Sequence, residues 1–445
     1  MRRGGFVPEF ISRRLAGRET LLRSLDNGLW LMLDQVVRMG LGLVVGVWLA
    51  RYLGPEQYGW LSYALAMAGT VTALTSLGFN AVVVRELARD PAAGRAWLGA
   101  AFFLKAIGAA LGFLACLGVA ACQGADGSTL RALIAIVALG MFFQVFDLVD
   151  LVFQAEGAAR LSGWVRIGAA LLANAVKVAL LLAHAPVTLL AAAGVLELAL
   201  CGAGWLIAAR RRGHHWSELA WQPGYVSRLL GESWPLALSG LAVYAQAYSD
   251  QLVIGHYLGG AELGQYAAAM RLVAAFGFLP MIVNTVAMPE IARAKRDDDA
   301  LYHRRLFDVY RVMAGMFLVT TLALLAAGTL AARWLLGPAY LEGATLLPWL
   351  AFRLFFSNFG VARSIFIANE GLFRFGLVTA ILGALVNLGL NLWWVPRFGA
   401  RGAICSSLLS LAVTTFAFEA FHSRARVNLG LMLRAVFLPW RPPLA

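Results

Sequence analysis

Residues 50–67 read ARYLGPEQYGWLSYALAM, a short polar turn set between two long apolar blocks. The blocks on either side, 28–50 and 59–80, each have the roughly twenty residues that a helix needs to cross a hydrocarbon core about 30 Å thick. Transmembrane strands would give alternating segments of about ten residues instead. Working outward, the same rhythm of apolar block and short turn runs to residue 421. Further blocks lie at 97–121, 131–154, 161–183, 187–209, 233–257, 264–288, 310–332, 344–367, 374–395 and 402–421. The expected fold is therefore an all-α membrane protein with about 12 transmembrane helices.

Composition agrees. The chain is 60% hydrophobic and only 14% charged, with a mean hydropathy of +0.73, whereas about a quarter of the residues of a soluble domain are charged. Residues 1–28 carry six Arg and no apolar core, so no cleavable signal is expected there. Cys116, Cys122, Cys201 and Cys405 form no CxxC pair, and the six His are scattered apart from His214–His215 in a basic loop. No metal site follows from that pattern, and no cofactor is expected.

The net charge of +13 is that of a nucleic-acid binder, but its distribution is that of a membrane protein. With the N-terminus placed in the cytoplasm, the inner segments take most of the Lys and Arg. They include 1–27, the central loop with Arg210, Arg211, Arg212 and Arg228, and the 293–311 loop. The outer loops take only Arg51, Arg131, Arg333, Arg397 and Arg401. This is the positive-inside pattern, with both termini cytoplasmic. The basic surface then faces anionic lipid headgroups, so membrane lipids are expected partners and nucleic acid is not. The outer loops are too short for a catalytic or receptor domain. No GxxxxGK[ST] occurs, which leaves a proton or sodium gradient, or the substrate itself, as the source of energy.

The opening motif returns. YLGPEQYG at 52–59 matches YLGGAELG at 257–264, an offset of 205 residues, and AEGAAR at 155–160 matches NEGLFR at 369–374, an offset of 214. Two matches at equivalent positions point to one duplication. An even number of spans per half keeps both halves in the same orientation, as in transporters built from parallel repeats. The expected organisation is a basic N-terminal segment at 1–27, an N-lobe at 28–215, a C-lobe at 216–425 and a C-terminal tail at 426–445.

At these residues the chain resembles a known family. The segments 50–67, LGFNAVVVRELAR (77–89), DQLVIGHYLGGAELGQYAAAMRL (250–272) and FIANEGLFRFG (366–376) are similar to the polysaccharide-transporter family of Wzx-type flippases. That family lies in the superfamily that also holds MurJ and the MATE exporters. The resemblance implies two parallel six-helix lobes around a central cleft, alternating access and an undecaprenyl-pyrophosphate-linked oligosaccharide as cargo. It implies a bacterial inner-membrane location and a monomer, with a polysaccharide polymerase and chain-length proteins as further partners. About twelve spans, against the fourteen of MurJ-like members, make the peptidoglycan precursor the poorer fit.

Charges inside spans are costly, about 2.5–3.5 kcal/mol each on insertion scales, so each needs a partner or a task. The basic set is Arg38, Lys105, Arg166, Lys177, Arg271, Arg353 and Arg363; the acidic set is Asp34, Asp147, Asp150, Glu197 and Asp250. The surplus of cations favours an anionic cargo, because guanidinium groups bond phosphate oxygens bidentately. Asp34 and Arg38 share a helix face, either as a self-contained ion pair or as a phosphate contact. Arg271 and Asp250 lie at similar depth, either as a pair or as lumen residues. By the family resemblance, Arg38 and Arg271 lie on the first and eighth helices, whose arginines are associated with the cationic cleft.

Lys105 and Arg353 complete the candidate cationic lumen with Lys177, which Glu197 can neutralise. Asn174, Asn387 and Asn391 form polar stripes that either line a hydrated lumen or join helices. Asp147 and Asp150, three apart near an inner end, either are solvated or share a proton for ion coupling. Arg363 is expected to snorkel to the inner interface. Trp48, Trp60, Trp97, Trp205, Trp334, Trp393 and Trp394 are expected in an aromatic belt. A MATE-like multidrug or small-solute antiporter is the alternative function and predicts an acidic cleft. A membrane enzyme would need a large outer loop bearing catalytic groups, so no enzyme is expected.

Overall fold

The computed structural model describes residues 19–76, 78–90, 93–122, 127–213 and 221–438. Residues 1–18, His214–His215 and Arg441 lie outside these. Among the described residues every regular element is helical: α1 Glu19–Thr75, α2 Phe79–Arg89, α3 Gly94–Ala121, α4 Ser128–Gln144, α5 Leu148–Ala155, α6 Ala159–Leu182, α7 Val187–Arg211, α8 Pro223–Ala274, α9 Phe278–Asp297, α10 Asp299–Leu336, α11 Leu341–Asn369, α12 Phe373–Ala412 and α13 Ala425–Phe437. A 3₁₀ turn, Val145–Asp147, joins α4 to α5.

Nine stretches of the described residues are long and apolar enough to cross a membrane. The three longest, Asp34–Thr75, Pro223–Asp297 and Phe373–Phe421, each contain a non-helical glycine: Gly54, Gly259 and Gly399 respectively. Each kink divides its stretch into two crossings, which gives the twelve-helix plan that the apolar blocks predict. Gly54 (φ 72, ψ 172) and Gly259 (φ 85, ψ −177) occupy the same place in the two copies of the YLG motif. Both sit in a backbone region that is essentially closed to side chains with a Cβ. The second motif repeats in the same way, with Gly157 at φ 69 and Gly371 at φ 66.

The chain forms two compact units, Met1–Gly46 with Met67–Gly240, and Val47–Ala66 with Leu241–Ala445. In the first unit, close helix contacts fall at small residues, as membrane bundles require. A Cβ on Gly108 would lie 2.7 Å from the Thr75 carbonyl oxygen, and Gly202 accepts the ring of Phe146. Phe79, Val83, Trp97, Ala100, Leu148 and Leu229 form one fully buried cluster. Trp97 is thus core and stands edge-on to Tyr225. Trp205 is buried as well, with its indole N–H on Ser162. Neither belongs to an exposed aromatic belt, because each has a packing or hydrogen-bonding partner inside the unit.

In the second unit, the two copies of the YLG motif meet. A Cβ on Gly59 would lie 1.8 Å from the Gly260 carbonyl oxygen, and one on Gly264 would lie 1.8 Å from the Pro55 carbonyl oxygen. The 205-residue offset maps Gly59 onto Gly264 and Pro55 onto Gly260, so these are the two halves of one reciprocal contact. It holds 47–66 within the second unit, although by sequence that hairpin belongs to the first repeat. The other large cluster of this unit gathers Tyr302, Phe307, Tyr310, Phe359 and Phe366 with Leu431 and Met432 of α13. The stretch read as a tail therefore contains a packed helix.

Candidate functional site

The sequence-predicted residues fall into two sets of buried polar groups, one in each unit. In the first unit, Arg38 Nε lies 2.9 Å from one Asp34 oxygen, and Arg166 Nε lies 2.9 Å from the other. Arg166 also reaches Asp150 at 2.9 Å, and Asp150 accepts hydrogen bonds from Ser162 and from Gln154. The result is a chain of alternating charge, Arg38–Asp34–Arg166–Asp150, that spans α1, α6 and α5. The sequence showed the first link, at i,i+4 spacing. It gave no sign that Arg166 would turn toward the acids, since Arg166 lies eight residues before Asn174 and eleven before Lys177, on the same stripe of its own helix.

Asp147 and Asp150 each hold a different cation. Asp147 meets Lys105 of α3, beside the hydroxyl-bearing Thr72, Thr75 and Ser76, whereas Asp150 meets Arg166. Asp147 ends the 3₁₀ turn and Asp150 lies in the first turn of α5. Lys177 and Glu197 pair at 3.2 Å. Asn174 is buried and donates to the carbonyl of Ala170 in its own helix.

In the second unit, Asp250 is fully buried and central. It accepts from Tyr266 at 2.7 Å, Arg353 at 3.0 Å, Asn391 at 2.8 Å and Ser407. Asn387 and Asn391 are fully buried in the same network: Ser249 donates to Asn387, and Asn391 Nδ2 lies 3.3 Å from Asn387 Oδ1. Gln246 extends it to Ser410 and Thr414. Gly383 admits that threonine, since a Cβ there would lie 2.0 Å from the Thr414 hydroxyl. The pair of Asp250 with Arg271 does not form. Arg353 takes the carboxylate, and Arg271 donates to the Tyr58 hydroxyl at 3.2 Å.

Arg363 does not snorkel. Its Nε lies 2.6 Å from Glu419, in a fully buried link that continues through Asn428 to the Tyr310 hydroxyl. Glu419 had escaped the sequence reading because it stands at the very end of the last apolar block. A π turn, Val413–Ala417, and a 3₁₀ turn, Phe418–Phe421, precede α13 there. The acid set thereby grows by one, and the surplus of buried cations shrinks.

The comparisons with known proteins bear on this arrangement. The sequence model of a family described as "Polysaccharide biosynthesis protein" matches residues 24–295. The chain belongs to that family. This polysaccharide biosynthesis family member is 28% identical, over 221 residues, to a probable multidrug resistance protein NorM from Caulobacter vibrioides, and the match spans 44% of each chain. The family member thus spans less than half the length of that curated relative. Its fold is shared with the lipid II flippase MurJ in an inward closed conformation, at TM-score 0.71 and 12% identity, over 91% of this chain and 90% of that one. It is shared also with a multidrug resistance MATE family transporter of the MOP superfamily, inward-facing, at TM-score 0.67 and 14% identity, over 89% and 96%. A MOP superfamily transporter from Pyrococcus furiosus aligns at TM-score 0.61 and 14% identity, over 92% and 97%. The chain therefore has the two-lobe helical fold of this transporter superfamily.

Proposed function

We propose that this protein is a flippase that carries an undecaprenyl-pyrophosphate-linked oligosaccharide, an O-antigen or exopolysaccharide repeat unit, from the cytoplasmic to the outer leaflet by alternating access. The observation that carries the reading is the family match over 24–295, in a fold shared with a lipid II flippase. On this reading the protein is a monomer of the bacterial cytoplasmic membrane with both termini in the cytoplasm. It hands its cargo to a polymerase and chain-length proteins, and a proton or sodium gradient is its source of energy.

The ion pairs narrow the choice of phosphate contacts. Lys105, Lys177 and Arg353 each hold a carboxylate. Drawing any of them to a substrate would leave a buried acid short of its cation. Arg38 differs. Its side chain is 36% exposed, and its acid, Asp34, keeps Arg166 when Arg38 turns away. Arg271 donates to the neutral Tyr58 hydroxyl, and the family resemblance puts it on the eighth helix, whose arginines are associated with the cationic cleft. Arg38 and Arg271 are the expected pyrophosphate contacts.

The test is surface glycan in cells that depend on this gene. Arg38→Ala and Arg271→Ala, at wild-type membrane levels, are expected to lower export about tenfold each and to accumulate cargo on the inner face. Normal glycan in both variants would sink the cationic contact. The NorM relative favours a second reading, a multidrug antiporter. Drug efflux in proteoliposomes, with no flipping of a polyprenyl-pyrophosphate glycan, is the result that would establish it.

A further inference from the structure

The outer side of α13, in the second unit, combines two properties that water and hydrocarbon each reject. The buried stripe of the helix is Ala425, Asn428, Met432 and Ala435, at spacings of three, four and three residues. The opposite stripe, Arg426, Gly430, Leu433 and Phe437, recurs at four, three and four, with Val427 and Arg434 beside it. Phe437 is 74% exposed, and Phe421, just before the helix, is 81% exposed. Arg424, Arg426 and Arg434 are exposed as well. In bulk water two open phenylalanine rings are unfavourable, and among acyl chains each charge is costly. The boundary between the two media accommodates both, with the rings in the upper acyl region and the guanidinium groups at the phosphates.

Packing holds the helix at that boundary. α13 has 13 residues and is therefore about 20 Å long, too short for a core about 30 Å thick. The Asn428 side chain accepts from the Tyr310 hydroxyl at 2.8 Å and donates to Glu419 at 3.1 Å. Residue 310 opens the apolar block 310–332, and residue 419 lies at the close of the block 402–421. The middle of α13 thus stands level with the ends of two spans. Farther along the helix its partners are also end residues, since Leu431 and Met432 share a cluster with Phe307 of α10 and Phe366 of α11.

Charge selects the lipid. Residues 420–445 hold Arg424, Arg426, Arg434 and Arg441 and no Asp or Glu. Among the described residues no ion pair takes Arg424, Arg426 or Arg434; Arg426 donates its Nε to the Ala420 carbonyl at 2.8 Å. The exposed arginines of the first unit are arranged differently, for Arg85 and Arg228 face Glu86 and Glu232. We infer that α13 is an interfacial helix that gathers anionic phospholipid, with Leu433 and Phe437 among the acyl chains and Arg426 and Arg434 on the headgroup phosphates. Basic residues on such a helix attract anionic headgroups within a Debye length of the surface. On the orientation proposed above, this lipid belongs to the cytoplasmic leaflet. The inference needs the helices to cross a bilayer, but neither the cargo nor the direction of transport.

The experiment places the full-length protein, one copy per nanodisc, in equal amounts of phosphatidylglycerol and phosphatidylcholine. A nitrobenzoxadiazole dye on Phe437→Cys reports on the exposed face, and the signal of the parent chain labelled alike is subtracted for the native cysteines. Phosphatidylglycerol with nitroxide-labelled acyl chains is expected to quench the dye, and aqueous iodide is not. Moving the nitroxide from one lipid to the other gives the local preference for phosphatidylglycerol. That preference is expected to be about fivefold, the contribution of roughly one arginine near an anionic surface. Arg426→Gln/Arg434→Gln is expected to lower it below about twofold, and Arg434→Gln alone to about half the parent value. Arg210→Gln/Arg211→Gln, with the same charge removed from the first unit, is expected to leave it unchanged. Val427→Cys, on the flank of the same face, carries the dye should the Phe437 variant fail to insert. Quenching by iodide in place of nitroxide lipid would put the face in water, and protection from both would put it under protein. Either result, equal quenching by the two lipids, or an equal loss in the two double variants would overturn the inference.

Discussion

The Asp250 network gives a quantitative prediction. Asp250 is fully buried, and its ion-pair partner Arg353 has 13% of its side chain exposed. Removing one member of such a buried pair costs about 3–5 kcal/mol, because the other charge is left uncompensated. The two removals are not equivalent. Arg353→Met leaves the carboxylate with three donors, Tyr266, Ser407 and Asn391. The cost should then lie near the low end, about 3 kcal/mol. Asp250→Ala leaves the guanidinium with the Ser407 hydroxyl as acceptor, and it strips the acceptor from the Tyr266 and Ser407 hydroxyls. That cost should lie near the high end, about 5 kcal/mol. In the double variant neither charge remains, so its cost should fall short of the summed singles by at least about 2 kcal/mol, within the coupling range of directly bonded residues. Unfolding by dodecyl sulfate in detergent micelles, followed by tryptophan fluorescence, measures all three. Additivity to within about 0.5 kcal/mol, or a larger loss for Arg353→Met than for Asp250→Ala, would refute the reasoning.

Other substitutions probe the remaining contacts. Gly59→Ala and Gly264→Ala each press a methyl group against a backbone carbonyl, so each should lower stability by about 1–3 kcal/mol; a melting-temperature series in micelles checks this. Gly54→Ala has open space for its methyl group but the wrong backbone conformation, and should cost about 1–3 kcal/mol through strain alone. Glu419→Ala strands Arg363 and Asn428 in the buried link that ties α13 to the unit. Limited proteolysis should then release the C-terminal segment at protease levels that leave the wild type intact. Arg38→Ala should cost no more than about 1 kcal/mol, the range for a part-exposed ion pair, whereas Arg166→Ala should cost several times more, because it serves both Asp34 and Asp150. Thermal unfolding of the two variants side by side decides the point.

The fold was legible because its determinants are local. A block of twenty apolar residues and a glycine in a tight turn carry their meaning within their own sequence, and the reciprocal contact of the YLG motifs rests on a repeat visible in the letters. Partners were legible where helical spacing sets them, as for Asp34 with Arg38. Lys177 with Glu197 also emerged, from charge and depth alone. The pairs of Asp250 with Arg353 and of Arg363 with Glu419 were not legible. Depth along a helix is readable from sequence, but rotation about its axis relative to distant helices is not. Asp250 thus had two cations at plausible depth, and only packing chose between them. The 3₁₀ turn at Val145–Asp147 carries no proline or glycine to announce it.

The reciprocal seat of Gly59 and Gly264 has a consequence for how this gene can change. After a duplication, two copies of a segment are usually free to drift apart, each under its own constraints. Here each copy is the other's mould. A side chain added to either glycine collides with the backbone of the opposite repeat, so neither hairpin can widen unless its twin retreats. The ancestral repeat is preserved at this spot by touch, and divergence is left to positions that face elsewhere.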